Sequence, residues 1–276
     1  MENDFRIQIR FWGVRGSIPT PEVENLGYGG NTTCIEVRTP GNVLVIDAGS
    51  GIRNLGMSLQ REFAGKPCSL HLLLTHFHMD HIQGLPFFSP LFSPSSEIAF
   101  HASRTPEEIR ANLEVPLSKP YFPGSLDLLA ARKTYVGESS DSFRQGGLTV
   151  RSFPLNHPQG ASGYRFEANG AVIVHASDHE HGDRELDRVL REHAQNADVL
   201  VIDAQYTPEE YESKRGWGHG TWLEATQIAN ECNVKQLVLF HHDPTHNDAF
   251  IDDVVFRAKQ HFENTVAAKE GWATGA

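Results

Sequence analysis

Residues 75–81 read Thr-His-Phe-His-Met-Asp-His, directly after the apolar run of residues 70–74. That run has the length and composition of a buried strand. In an extended segment His76 and His78 project to the same side, and a helix starting near Asp80 turns Asp80 and His81 toward the same cavity. Imidazole and carboxylate together make a donor set for divalent cations, and four such residues close in sequence can serve two of them. The rival reading is a hydrated, histidine-rich loop. An isolated histidine pair is common in loops, but an ordered quartet at the end of an apolar strand is not. The fold must therefore open a polar cavity at the end of that strand.

The rest of the chain alternates strand-like and helix-like stretches. Residues 7–12, 33–38 and 43–46 read as strands, with a hairpin turn at Thr39-Pro40-Gly41-Asn42. Residues 49–63 read as a helix with Ile52, Leu55, Leu59 and Phe63 on one face. From Pro86 to Pro123 the chain is rich in Pro and Ser and reads as irregular, apart from a helix over 106–113. The second half repeats the style. Strands are expected at 148–153, 163–167, 171–175, 199–202 and 237–240, and helices at 184–193, 223–232 and 248–262. Asn169-Gly170 marks a hairpin. This mixture points to a layered α/β or α+β fold. No Gly- or Ser-rich linker separates the halves, so the reading is a single domain over residues 1–276.

Further ligand-type residues follow the later strands: His157, Asp178, and the adjacent pair His241 and His242. Donors at strand ends on one rim of a sheet converge on one site. Only one of the adjacent histidines can point there, because neighbours diverge. The chain carries 15 histidines and a formal charge of −11. That charge disfavours a polyanionic partner, while a bound cation reverses the sign locally for a small anion. Cys34, Cys68 and Cys232 are scattered and odd in number, which suits a reduced, cytoplasmic protein. No apolar run approaches the ~20 residues of a membrane span.

With His157, Asp178 and His241 in order after the quartet, the chain resembles the metallo-β-lactamase superfamily, and within it the ribonuclease Z-like phosphodiesterases. Three further motifs carry the resemblance: Phe11-Trp12-Gly13-Val14-Arg15-Gly16-Ser17-Ile18-Pro19, Asp47-Ala48-Gly49-Ser50-Gly51 and Gly218-His219-Gly220-Thr221. It runs from Phe11 to about Pro244. It implies a four-layer αββα sandwich and two divalent metals, zinc first, with manganese or iron as alternatives. His76, His78 and His157 would hold one metal, and Asp80, His81 and His241 the other, with Asp178 bridging. His241 is preferred to His242 because its separation from His219 matches the family. His219 would be the catalytic non-ligand histidine, oriented by Asp203, and Asp80 is counted with the catalytic group. Asp47 would support a ligand histidine. Arg15, Asn31 and His242 are the weakest assignments, as supporting or substrate-facing residues. Redox di-iron relatives carry glutamate where His78 stands, which argues against redox chemistry.

The reading is a metal-dependent phosphodiesterase acting on a small phosphodiester such as a cyclic nucleotide. Two alternatives stand beside it: a thioester (glyoxalase II-like) or lactam hydrolase, and a non-catalytic metal-binding sensor. Ribonuclease Z carries a basic tRNA-gripping arm between the residues matching His157 and Asp178. Here that interval holds one non-histidine basic residue, Arg165. A nucleic-acid polymer and a membrane are therefore not expected as partners. Homodimerisation is common among relatives, but no interface is legible in the sequence, and the oligomeric state stays open. Tyr121 and Phe122 are expected to form a lid or an aromatic wall.

Overall fold

Strand alternation sorts the core. In β4 (Cys68–Leu73), Leu70 and Leu72 join one apolar cluster while Leu73 joins another. The same division holds along the chain and produces the layers. The computed structural model describes residues 6–137 and 142–276.

One sheet contains β1 (Gln8–Gly13), β2 (Cys34–Thr39), β3 (Asn42–Ile46), β4, β5 (Ser96–His101) and β6 (Arg132–Val136). The other contains β7 (Ser142–Gln145), β8 (Leu148–Leu155), β9 (Ala161–Ala168), β10 (Ala171–Ala176), β11 (Val199–Asp203), β12 (Gln236–Phe240) and β13 (Thr265–Ala267). β14 (Ala273–Gly275) returns to the first sheet, giving the orders β14-β1-β2-β3-β4-β5-β6 and β13-β12-β11-β10-β9-β8-β7. The helices are α1 (Ile52–Phe63), α2 (Met79–Ile82), α3 (Pro106–Glu114), α4 (Arg184–Ala194), α5 (Pro208–Tyr211), α6 (Trp222–Glu231) and α7 (Asp248–Lys259).

Ile9, Phe11, Ile35 and Leu44 of the first sheet meet Phe166, Ile173, Val201 and Phe240 of the second, forming the layer between sheets. On the outer face of the first sheet, Leu70, Leu72, Ile98 and Phe100 pack under Ile52, Leu55 and Leu59 of α1. On the outer face of the second, Val174, Leu200, Ile202 and Leu239 pack under Leu190 of α4, Ile228 of α6 and Val254 of α7. The architecture is the αββα sandwich of the metallo-β-lactamase fold. Among the described residues no helix is long and apolar enough to cross a membrane.

β3, β4 and β5 run parallel, as do β10, β11 and β12. Their C-terminal ends therefore gather at one rim of each sheet. The Asn169-Gly170 turn joins β9 to β10 with φ of 50° and 80°, the twist a two-residue hairpin requires.

One expectation needs correction. The stretch from Pro86 to Pro123 is not irregular throughout, because it contains β5, an interior strand paired with β4 and β6. Its buried Ser96, Ile98 and Phe100 alternate with more exposed residues. The surrounding proline and serine punctuation hides that short alternation.

Candidate metal centre

The donors come from loops that leave strand ends. His76, His78, Asp80 and His81 follow β4, His157 follows β8, Asp178 follows β10 and His241 follows β12. All are buried except half-buried His78. His78 Nδ1 lies 3.1 Å from His157 Nε2. His76 Nε2 and His157 Nε2 lie 4.0 and 3.9 Å from Asp178 Oδ1. On the other side, His81 Nε2 and His241 Nε2 each stand 3.4 Å from Asp80 Oδ2. They lie 3.4 and 3.5 Å from the two oxygens of Asp178. Two groups of donors thus share Asp178.

Three of the rings are turned by a partner behind them. His81 Nδ1 meets Asp47 Oδ2 at 2.8 Å, and Asp47 also accepts from the amide and hydroxyl of Thr75. His241 Nδ1 meets Gln205 Oε1, and His157 Nδ1 meets the carbonyl of Gly218, both at 2.8 Å. These acceptors hold a proton on Nδ1 and leave Nε2 as a lone pair, the arrangement that orients a metal-binding histidine. Gly218 has to be glycine. Its φ is +88°, and a Cβ there would lie 2.3 Å from the His157 ring.

Asp47, Asp178 and His241 have φ of 60°, 62° and 61°. Non-glycine residues adopt this left-handed conformation at a cost of order 1–3 kcal/mol each. The strain gathers where the donors do.

Burial works to lower the affinity of His81 for a proton, yet Asp178, Asp80 and Asp47 hold it well above the usual histidine range. Burial likewise opposes ionisation of Asp178, but His241, His81 and His76 hold it well below the usual carboxylate range. The field thus favours positive charge at this point. The Nε2 atoms of His76, His81 and His241 are buried and have no hydrogen-bond partner. A buried polar atom without a partner costs about 1–3 kcal/mol. Divalent cations, standing in for the proton on His81, would satisfy these three nitrogens and the carboxylate field together, and the residues would divide as His76, His78, His157 and Asp178, and Asp80, His81, His241 and Asp178.

His219 stands beside this group. Its Nδ1 lies 2.8 Å from Asp203 Oδ2, and its ring stacks on His241 at 4.9 Å. Burial works against its proton, but Asp203 chiefly, with Asp178 and Asp80, raises its pKa to about 9. Asp203 also accepts from the amides of Asp178, Gln205 and Gly220. One carboxylate therefore ties Asp178 to the loop that carries His219.

Other sequence expectations fare differently. Arg15 is fully buried and donates to the carbonyls of Gly29, His246, Asn25 and Asp243, so it braces loops instead of meeting substrate. Asn31 is bound to Glu270 and Ser50 and likewise does not face the cavity. His242 turns away from the donors, with Nε2 3.0 Å from the carbonyl of Ala268. Phe122 packs edge-on against Phe87 at 6.3 Å, and Tyr121 is exposed. Gln205, Thr75 and the Gly218 carbonyl escaped sequence reasoning. Glutamine, threonine and backbone groups carry no motif signal of their own.

His179, His181 and Asp187 also lie close together. There His179 Nδ1 accepts from the amide of Asn156, so Nε2 carries the proton and donates to Asp187 at 3.0 Å. That leaves His179 without a lone pair for a cation, and the group is not a three-donor site.

Similarity to known proteins follows the same lines. The family model of the beta-lactamase superfamily domain matches residues 42–242. A protein of unassigned function from Mycobacterium tuberculosis is 29% identical over 266 residues, covering 95% of this chain and 89% of its own length. A ribonuclease Z of Bradyrhizobium is 26% identical over 310 residues, covering 95% of this chain and 97% of that protein. Among solved structures, a diphosphatase from the PhnP family superposes with a TM-score of 0.72 at 17% identity, covering 98% of each chain.

Proposed function

Since this chain belongs to the beta-lactamase superfamily, in its ribonuclease Z-like group, and is a metal-dependent hydrolase, we propose that its substrate is a small phosphodiester, with a cyclic nucleotide as the favoured case. The observation that carries this reading is His219. It is a buried histidine beside the donor groups, tied to Asp203 through Nδ1. In the metal-free chain, against the effect of burial, Asp203 with Asp178 and Asp80 raises its pKa to about 9. A protonated histidine there is placed to stabilise charge on a phosphoryl group and to donate a proton to the departing oxygen.

Two bound divalent cations, zinc favoured by the imidazole-rich donor set, supply Lewis acidity and lower the pKa of water toward neutrality. The chain does the rest. Asp178 holds the two donor groups in register. Asp47, Gln205 and the Gly218 carbonyl keep the ring lone pairs aimed inward. Asp203 holds a proton on His219 Nδ1, so that in the protonated ring the Nε2–H is the donor left for substrate.

The interval between His157 and Asp178 is occupied by β9 and β10 themselves, with no inserted arm. A ribonuclease and a diphosphatase among the similar proteins support chemistry at phosphorus. The absent arm and the net charge of −11 favour a small substrate over a polymer. The test is side-by-side kinetics of zinc- or manganese-loaded protein on cyclic mononucleotides, bis(p-nitrophenyl) phosphate, precursor tRNA, a thioester and a β-lactam. Turnover confined to the first two is expected. Efficient trimming of precursor tRNA, or turnover of only the thioester or lactam, overturns the reading.

A further inference from the structure

The loop from Lys214 to His219 does more than deliver His219. Glu180 pins it at two points, accepting from the amide of Gly216 at 2.6 Å and from that of Gly218 at 2.7 Å. The same carboxylate accepts from Tyr211 Oη at 2.8 Å, and Glu180 is itself fixed by its amide donating to the Asn156 carbonyl and its carbonyl accepting from the Asn156 side-chain amide. Between the pinned glycines stands Trp217, whose amide donates to the carbonyl of Lys214. Its backbone is thus held on both sides, yet its side chain is 59% exposed.

An indole left in water on a rigid loop forgoes hydrophobic stabilisation that a flexible loop would recover by folding over. Trp217 is also next to the site, since the following residue, Gly218, gives its carbonyl to His157. The Lys214 ammonium lies 4.2 Å from the indole centroid and 6.0 Å from the ring of Tyr206. The Tyr206 ring in turn stands edge-on to His219, 6.0 Å away. Among the described residues no carboxylate pairs with Lys214. The Lys214 ammonium thus lies over the indole and near the Tyr206 ring that borders His219, while much of the indole stays exposed.

We propose that Trp217, backed by Lys214, is the base-stacking subsite of this enzyme, and that it selects phosphodiesters carrying a heteroaromatic ring. Any base offers a π-face to an aromatic platform, so this contact recognises the ring class and not one base. The pinned loop means that the platform is pre-organised, which limits the ordering cost of binding. Lys214 adds attraction for an electron-rich ring or a neighbouring phosphate oxygen in a chain whose net charge is −11. The inference rests on the phosphodiester reading, and it adds the part of the substrate that the metal centre does not touch.

The experiment compares wild type, Trp217→Ala and Trp217→Phe as metal-loaded proteins. The substrates are a 3′,5′-cyclic nucleotide and the same cyclic phosphate on a base-free methyl riboside. For Trp217→Ala we expect KM for the cyclic nucleotide to rise about 10- to 100-fold. We expect kcat to stay within about twofold, the base-free substrate to be unaffected, and Trp217→Phe to recover most of the loss. Equal losses on both substrates, or no loss on either, overturn the proposal. A titration with adenosine 5′-monophosphate decides the case independently of turnover. Quenching of indole emission is expected in wild type and should vanish in Trp217→Phe. Quenching that persists unchanged there overturns the subsite. A wild type that hydrolyses neither diester overturns the phosphodiester reading instead, and the titration then still reports on Trp217.

Discussion

Two groups of histidines lie at the rim and in the interior of this sandwich, and they behave in opposite ways. Around Asp178, five rings face carboxylates, and three buried Nε2 atoms have no partner. Between the sheets, His71 of β4 and His101 of β5 face each other instead. His71 Nδ1 lies 2.9 Å from His101 Nε2, and Phe143 of β7 stacks on both rings. No carboxylate contributes there. Burial first, and then His71, push the pKa of His101 down to about 4. In the first group the carboxylates overcome a deeper burial and hold His81 well above the ordinary range. Proximity of histidines is common to both. A metal centre needs, in addition, lone pairs with nothing to accept from and anions that offset burial of a positive charge.

The contrast can be broken most severely at its centre. Asp178→Ala removes a donor from both groups and the largest share of the negative field. Metal content measured by elemental analysis should fall from about two per chain, the number these donor groups are expected to hold, to one or none, and turnover to background. Retention of two metals by this variant would falsify the bridging role of Asp178.

His219→Ala tests the neighbour that is not a donor. Metal content and fold should persist, while phosphodiester turnover drops by about 10²–10³. Loss of metal in this variant would show that His219 is a ligand, and an unchanged rate would remove it from the mechanism.

Gln205→Leu asks whether the acceptor behind a ring matters as much as the ring. Without Gln205 Oε1, His241 can place its proton on either nitrogen. The affinity for the cation on the His241 side should weaken by about 10- to 100-fold in a chelator competition, with the other cation less affected. Equal affinities in variant and wild type would mean that His241 is oriented by something else.

The smallest expected effect lies in the other group. His101 has a folded pKa of about 4 against 6.5 for an ordinary histidine. Below pH 6.5 the unfolded chain takes up a proton that the folded chain refuses. The contribution is therefore fully present above pH 6.5 and is lost as pH falls toward 4. For metal-free protein, unfolding free energies measured from pH 7 to pH 4.5 should decline less steeply in His101→Phe than in wild type, by about 1–2 kcal/mol across the window. Parallel slopes would remove the His71–His101 pair as a source of acid sensitivity.

How much of this was legible beforehand differs by residue. The quartet His76 to His81 could be read directly because its members share one loop, and local geometry alone brings them to one side. His157, Asp178 and His241 could be read as donors after strands, and the resemblance supplied their division between two metals. The choice of His241 over His242 rested on spacing, and the structure turns His242 toward the Ala268 carbonyl. For Arg15 and Asn31 the sequence left a supporting and a substrate-facing role open, because a polar residue in a loop near a motif looks the same whether it meets substrate or braces a neighbouring loop; their contacts are of the bracing kind. β5 was missed because six alternating residues cannot outweigh the prolines around them.

By itself, then, the sequence determined which residue types gather and in what order: a histidine–aspartate quartet on one strand end, lone donors on three others, and alternating strands able to make two sheets. The tertiary structure decided which nitrogen of each ring is free. That choice depends on acceptors far away along the chain: Asp47 for His81, Gln205 for His241, and the Gly218 carbonyl for His157. A lone pair has a direction as well as a chemical identity. Its direction is set only when the strand ends of both sheets close on one rim and each ring meets the group behind it.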